Sequence, residues 1–135
     1  MSDPIVFISR NRIKEGKVAE FRKHYQSSIP PVMANKPGTL VQLAYENEDA
    51  IEVTVVRLFT NADALDQQIQ GADERSKVTY ELIEPTGIEI FGTPNPATLE
   101  KMKKIAGSGI TVVISPYYID GFIRLPETSI IPNRS

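Results

Sequence analysis

A single arginine stands inside an otherwise apolar run, VTVVRLF, at residues 53–59. If this run is a strand, alternation places Val53, Val55, Arg57 and Phe59 on one side of it. A guanidinium group taken out of water needs a partner, such as a carboxylate, backbone carbonyls, water or a bound anion. Arg57 is therefore a candidate for binding an anionic or carbonyl group of a ligand, and an ion pair between two subunits is the alternative.

The one histidine, His24, is a weaker candidate for acid–base chemistry. It follows Phe21 by three residues and lies on the flank of an apolar stripe, between Glu20 and Ser27. This position predicts a surface or boundary histidine rather than a catalytic base.

Several common kinds of site lack their sequence patterns in this chain. There is no cysteine, and the carboxylates show neither zinc nor calcium-loop spacing. The only GSG stretch, residues 107–109, follows a predicted helix, which is the wrong order for a phosphate-binding loop. We therefore expect no metal site and no cofactor.

Composition indicates an ordinary globular domain. The chain has 135 residues, of which 41% are hydrophobic and 24% charged, and its formal net charge is -2. This balance gives no electrostatic reason to expect nucleic acid or an anionic membrane as a partner. The first ten residues lack a basic segment before an apolar one, and no apolar stretch approaches a membrane span. The expected location is the cytoplasm.

The elements that would position Arg57 follow a βαββαβ order. The pattern predicts a strand at 5–13 and then a helix at about 17–28, which Pro30 and Pro31 stop. A hairpin of strands at 39–45 and 51–59 follows. The next helix is capped by Asn61 and pauses at Gly71, a second helical stretch runs through Lys77, and a strand at 87–91 begins after Pro85. This is the order of a ferredoxin-like α+β fold with an antiparallel sheet.

A helix–strand extension follows from about residue 94. Asn95 and Pro96 are typical of a helix start, and the strand at 110–114 comes after the glycines. Residues 122–125 could form a sixth strand. We expect one domain over residues 1–125 and a polar tail over 126–135.

Helices in such a fold cover one face of the sheet, so the other face must meet something else. The strand at 51–59 is apolar on both sides, which predicts that a second sheet covers the side that carries Arg57. We therefore expect a homodimer with a pocket between its two sheets.

Three segments, FISRNRIKEGKVAEF, KPGTL and VTVVRLFTNADAL, resemble the antibiotic biosynthesis monooxygenase-like family of dimeric α/β barrels. The resemblance covers about residues 5–80. It implies a homodimer with one pocket per subunit and a small monooxygenase, in some members independent of any cofactor.

The catalytic residues of that family do not carry over. Members that oxidise aromatic polyketides use an asparagine, a tryptophan and a tyrosine where this chain has Val55, Phe59 and Leu65. Members that degrade haem use a tryptophan and a histidine on the second helix, and this chain has no tryptophan. The resemblance implies a counterpart only for the asparagine of the first strand, at Asn11 or, in another alignment, Ser9.

Two functions stay open on this basis. One is a monooxygenase-like enzyme that acts on an apolar, aromatic small molecule; the other is a dimeric barrel that binds a hydrophobic ligand without catalysis or has only a structural role. In either case the predicted ligand-binding residues are Ser9, Asn11, Tyr45, Val55, Arg57 and Phe59. For Tyr45 and Phe59, plain packing is the alternative.

Overall fold

An antiparallel sheet with helices on one of its faces is the framework of the protein. The computed structural model describes residues 3–69, 72–106 and 108–124. The elements follow one another as β1 (Ile5–Ile13), α1 (Val18–Asn35), β2 (Thr39–Glu46), β3 (Glu52–Phe59), α2 (Ala62–Ile69), α3 (Ala72–Leu82), β4 (Ile83–Phe91), α4 (Pro96–Ala106) and β5 (Thr111–Ser115). In the part that is described, no helix is long and apolar enough to cross a membrane.

The strands lie in the order β2-β3-β1-β4-β5. β1 pairs antiparallel with both β3 and β4, β2 pairs antiparallel with β3, and β5 pairs parallel with β4. A central β1 between β3 and β4 is what the split βαβ order produces. The predicted ferredoxin-like α+β class is therefore confirmed, and β5 adds a parallel edge strand to it.

The first helix runs further than its sequence predicts. α1 continues through Pro30 and Pro31 to Asn35, so the predicted stop was wrong. A proline inside a helix removes one backbone hydrogen bond and costs roughly 3 kcal/mol. Here Val32, just beyond the prolines, is buried, so packing holds the last turn in place.

The fourth strand also begins earlier than predicted, at Ile83 rather than Gly87. Its register against β1 shifts by one residue between Arg10 and Asn11, so that Asn11 faces Pro85 while Arg10 faces Gly87. Proline lacks an amide donor and is tolerated in a strand at such a bulge. Ile83 and Pro85 therefore lie on the same side of the sheet as Ile88.

The turn before β2 approaches α2 very closely. A Cβ on Gly38 would lie 2.5 Å from the Cβ of Ala64, so only glycine fits. The Asn61 side chain accepts a hydrogen bond from the Ala64 amide at 2.9 Å, which confirms Asn61 as the helix cap.

The extension is fixed to α2 by polar contacts. Asn95 donates to Asp63 and Asp66 at 2.9 and 2.6 Å, and the buried Thr98 donates to Asp66. Pro96 is the first residue of α4, as predicted.

One predicted element of the extension does not form. Residues 122–124 have no strand structure, so the sixth strand was wrong over the residues that can be seen. Gly71, Gly107 and the tail from residue 125 lie outside the described residues.

The two sides of the sheet differ in what covers them. On the helix-covered side, Ile5, Phe59 and Ile90 pack with Leu65 of α2 and Met102 of α4. A second buried cluster joins the other end of the strands to α1 and α3. We call the opposite side the open face. Its apolar residues are Val6, Ile8, Val41, Leu43, Tyr45, Val56, Leu58, Phe91 and Val113, and its charged residues include Arg10, Arg12, Glu84 and Glu89.

Candidate functional site

A cavity of about 280 Å³ lies between the helix-covered side of the sheet and helices α1, α2 and α3. We call it the sheet–helix cavity. Its wall on the sheet comes from alternate residues of β1 and β3, from Gln42 of β2, and from Ile83, Pro85 and Ile88 of β4. The cavity is thus built within one chain.

Arg57 lines this cavity. The sequence predicted that it would face a second sheet, and that placement was wrong. Val53 and Phe59, which share its side of β3, are 2% and 0% exposed within the single chain, because the helices of that chain already cover this side. The Arg57 Nε donates to the Gln42 side-chain oxygen over 3.4 Å, a long hydrogen bond to the neighbouring strand.

Ser9 and Asn11, the two alternatives on the first strand, both line the cavity. They lie two residues apart, so strand alternation brings them to the same side. The Asn11 side-chain amide donates to the Ser9 hydroxyl at 3.2 Å. Asn11 is 5% exposed, which makes it one of two buried polar residues in the part of the chain that is described.

Val55, Phe59 and Leu65 form an apolar section of the cavity wall. All three are buried. These are the positions at which the aromatic-oxidising relatives were expected to carry an asparagine, a tryptophan and a tyrosine. No polar group projects into the cavity from this section.

Tyr45 is separated from the other predicted site residues. It pairs with Thr54 and lies on the open face, 64% exposed, whereas Arg57 and Gln42 point to the opposite side of the sheet. The parity of β2 makes this unavoidable, because Gln42 and Tyr45 are three residues apart. Five of the six predicted residues therefore share one cavity, and Tyr45 does not.

His24 lies closer to the cavity than its sequence position indicated. It is half-buried, lines the cavity from α1, and its Nε2 is 2.9 Å from the Thr79 hydroxyl of α3. The boundary position was expected; the contact with a second helix was not.

Tyr25 is one of the cavity residues that the sequence analysis did not predict. Its ring stacks on Phe21, with centroids 6.0 Å apart. Its hydroxyl is buried near the Gln42 side chain but makes no hydrogen bond of good geometry with a described residue. Burial raises the pKa of this hydroxyl, while the nearby Gln42 and the charge of Arg57 act to lower it. The signal was present in the sequence, because Tyr25 stands in the apolar stripe of α1 and a tyrosine there must bury its hydroxyl.

The described residues contain no cluster of three or more histidine, aspartate or glutamate side chains that could hold a metal ion. The polar groups of the cavity are hydroxyls, amides, one imidazole and one guanidinium. This set suits hydrogen bonding to an organic ligand.

No protein-family model matches the sequence, and no curated protein matches it either. Solved structures do match. MupZ from Pseudomonas fluorescens is 15% identical, with a TM-score of 0.69 over 92% of this chain and 91% of that chain. Coverage of that extent must include most of the α4–β5 extension.

Two further structures match a smaller share of the chain. SnoaB, a cofactor-independent oxygenase from Streptomyces nogalater, is 18% identical, with a TM-score of 0.57 over 70% of this chain and 96% of its own. A protein from Caulobacter crescentus CB15, provisionally described as an antibiotic biosynthesis monooxygenase, is 24% identical, with a TM-score of 0.59 over 66% of this chain and 88% of its own. The chain therefore has the fold of the antibiotic biosynthesis monooxygenase-like proteins.

Proposed function

We propose that the protein is a monooxygenase-like enzyme that acts on an apolar, aromatic small molecule held in the sheet–helix cavity. The observation that carries this proposal is the cavity itself, whose wall is mainly apolar and carries a few polar groups on different elements. Ligand sites in proteins have this composition.

The size of the cavity supports a compact substrate. Its volume of about 280 Å³ lies just below the range of roughly 300 to 1,000 Å³ that is usual for ligand sites. We expect a small planar molecule to lie against the apolar section of the wall that Val55, Phe59 and Leu65 form.

Monooxygenation without a cofactor requires that the substrate supply the electrons. A phenol can do so: 1-naphthol and O2 give 1,4-naphthoquinone and water, with one oxygen atom entering the ring and the other leaving as water. In this proposal His24 accepts the phenolic proton, and the hydrogen-bonding groups near Arg57 hold the oxygen that becomes negatively charged.

The test is turnover of 1-naphthol under ¹⁸O2, followed by mass spectrometry of the quinone. We expect one labelled oxygen atom in the product. Val55→Trp, which fills the cavity, should abolish the reaction, whereas Val78→Trp on the exposed side of α3 should not. Thermal melts of both variants would confirm that they are folded. Formation of the quinone at equal rates with and without protein would contradict the proposal.

A second candidate, a non-catalytic protein that binds a hydrophobic ligand, is favoured by one observation. Val55, Phe59 and Leu65 occupy the positions of the expected catalytic side chains and are all apolar. Binding of 1-naphthol by calorimetry, together with the absence of labelled quinone, would decide for this alternative.

We also propose that two copies of the chain associate through their open faces. Large apolar patches exposed on a monomer generally mark contact surfaces. Two sheets packed in this way should bury an interface above roughly 2,000 Å² in total, toward the apolar end of the known range. Analytical ultracentrifugation at micromolar concentration should give a dimer, and a stable monomer would contradict this part of the proposal.

A further inference from the structure

Residues 116–124 follow β5 and belong to no helix or strand. We call this segment the arm. Three of its large apolar side chains are almost fully exposed, Tyr117 at 89%, Ile119 at 95% and Phe122 at 81%. Large apolar side chains that lie together on a surface generally mark a contact with another molecule, and aromatic residues are enriched in such contacts.

The contacts that the arm makes beyond its first residue are local. The Asp120 side chain accepts a hydrogen bond from the Gly121 amide at 2.8 Å, and the Arg124 guanidinium lies over the Phe122 ring, 5.2 Å from its centroid. No side chain of the arm lines the sheet–helix cavity. These contacts shape the arm but leave its apolar side chains in water.

The start of the arm lies at the rim of the open face. Ser115, the last residue of β5, pairs with Phe91, which is an open-face residue. The Ser115 carbonyl accepts a hydrogen bond from the Gly92 amide at 2.9 Å. The Pro116 carbonyl accepts one from the Thr93 hydroxyl, also at 2.9 Å. The arm therefore leaves the sheet from a fixed point beside the surface that the proposed dimer buries.

One chain thus carries two exposed apolar surfaces, the arm and the open face, and neither covers the other. Ile119 on the arm is 95% exposed, and Tyr45 on the open face is 64% exposed. In a dimer with twofold symmetry, each contact between the two copies is made twice. An exchange of arms would therefore cover both surfaces in both copies.

We propose that the arm of each copy crosses to the other copy and packs its apolar side chains on that copy's open face. The inference rests on the proposed association of two copies through their open faces. It goes further in naming a segment outside the sheet as part of the interface.

The first experiment uses the exposure of the arm in the single chain. Ile119→Asp removes almost no contact within its own chain, and Met33→Asp on α1, at a residue that is 78% exposed, is the matched control. We expect Ile119→Asp to weaken self-association about tenfold or more in sedimentation velocity, because an unpaired carboxylate in an apolar contact is costly. Met33→Asp should change the dissociation constant by less than about twofold. Far-UV circular dichroism would confirm that both variants are folded.

The second experiment locates the contact. Phe122 is replaced by the photoreactive analogue p-benzoylphenylalanine, and chains labelled with ¹⁵N are mixed with unlabelled chains before irradiation. Mass spectrometry should find crosslinks that join a labelled peptide to an unlabelled one, with the second peptide in the open face.

The results that would overturn the inference differ in what they say of the proposed dimer. If Ile119→Asp leaves the dimer unchanged, or if every crosslink lies within one chain, the arm does not cross and the dimer through the open faces remains. Crosslinks between copies that lie outside the open face would contradict the proposed position of the arm. A wild-type protein that stays a monomer at micromolar concentration would overturn both the inference and the dimer.

Discussion

The two sides of the sheet both depart from a strict separation of buried apolar and exposed polar residues. The helix-covered side carries the buried Asn11 together with Arg57 and Gln42, all facing a cavity. The open face carries Leu43 and Tyr45 at 47% and 64% exposure. Four of its charged residues form ion pairs between β1 and β4, Arg10 with Glu89 and Arg12 with Glu84.

The residue types on each side of the sheet depend on what that side contacts. Polar groups inside the cavity would be costly unless a ligand, water or protein partner meets them. Apolar groups on the open face are costly as long as water covers them. In the proposals above, a ligand completes the helix-covered side of the sheet, and a second copy of the chain covers the open face.

The largest expected effect, on stability, tests the helix-covered side of the sheet. Phe59→Ala should lower the free energy of unfolding by about 3–5 kcal/mol, because it removes a fully buried ring and leaves a void. Met33→Ala, at a residue that is 78% exposed, should change it by less than about 0.5 kcal/mol. Chemical denaturation measures both, and equal losses would show that the inner side is not the core of the fold.

The next effect, on self-association, tests the open face. Leu43→Asp should weaken self-association by about 100-fold or more, because an unpaired carboxylate in an apolar interface costs several kcal/mol. Val78→Asp is the matched control, since Val78 is 45% exposed against 47% for Leu43 but lies on α3. Sedimentation velocity measures both dissociation constants. An unchanged constant for Leu43→Asp would remove the open face from the interface.

A smaller effect on stability concerns α4, which packs on the helix-covered side of the sheet. Thr98→Val should lower stability by about 1–3 kcal/mol, because Asp66 loses a donor in a partly buried contact. Thr93 is exposed and donates to the Pro116 carbonyl at 2.9 Å, so Thr93→Val should cost less. Thermal melts of the two variants give the comparison, and the reverse order would contradict it.

The smallest effect is a dependence on pH. Arg22 donates two hydrogen bonds to Glu46, at 2.8 and 2.6 Å, which links α1 to β2 and lowers the pKa of Glu46. The resulting stability is present above the ordinary glutamate pKa of about 4.3 and is lost as the pH falls through the lowered value. Glu46→Gln should therefore reduce this loss in acid slightly, because the pair is largely exposed to solvent.

Denaturation at a series of pH values between neutrality and strong acid measures that loss. Glu48→Gln, in the exposed turn that follows β2, is the control. The same acid profile for both variants would show that the Arg22–Glu46 pair contributes nothing to holding α1 on the sheet.

The sequence predicted helix starts and strand alternation well, because residues close together in the chain determine both. Asn61 and Pro96 begin their helices as expected, and the period-two pattern of β3 places Val55, Arg57 and Phe59 together. What the pattern could not decide was which side of the strand the helices cover, because both sides read as apolar.

The missed parts of the site depend on contacts between distant segments. Tyr25 and Thr79 reach the cavity from two helices, and only the packing of those helices brings them to Arg57 and His24. The position of Tyr45 was within reach of the sequence, since the hairpin register follows from the alternation of its strands. The continuation of α1 past Pro31 was not, because burial of Val32 opposes the local preference.

The bulge between β1 and β4 has a consequence for how this chain can change. It reverses the inside–outside alternation in the middle of β4, so that odd-numbered Ile83 and Pro85 and even-numbered Ile88 and Ile90 all face inward. The strand therefore consists of two halves whose alternation differs by one residue: Ile83 and Pro85 line the cavity beside Asn11, and Ile88 and Ile90 belong to the core, with Ile88 also lining the cavity. Because Thr86 is the β4 residue that pairs with no residue of β1, deleting it would give a regular ladder in which both halves keep their present sides. Substitutions at Ile83 or Pro85 would reshape the cavity while the Ile88–Ile90 half keeps its register.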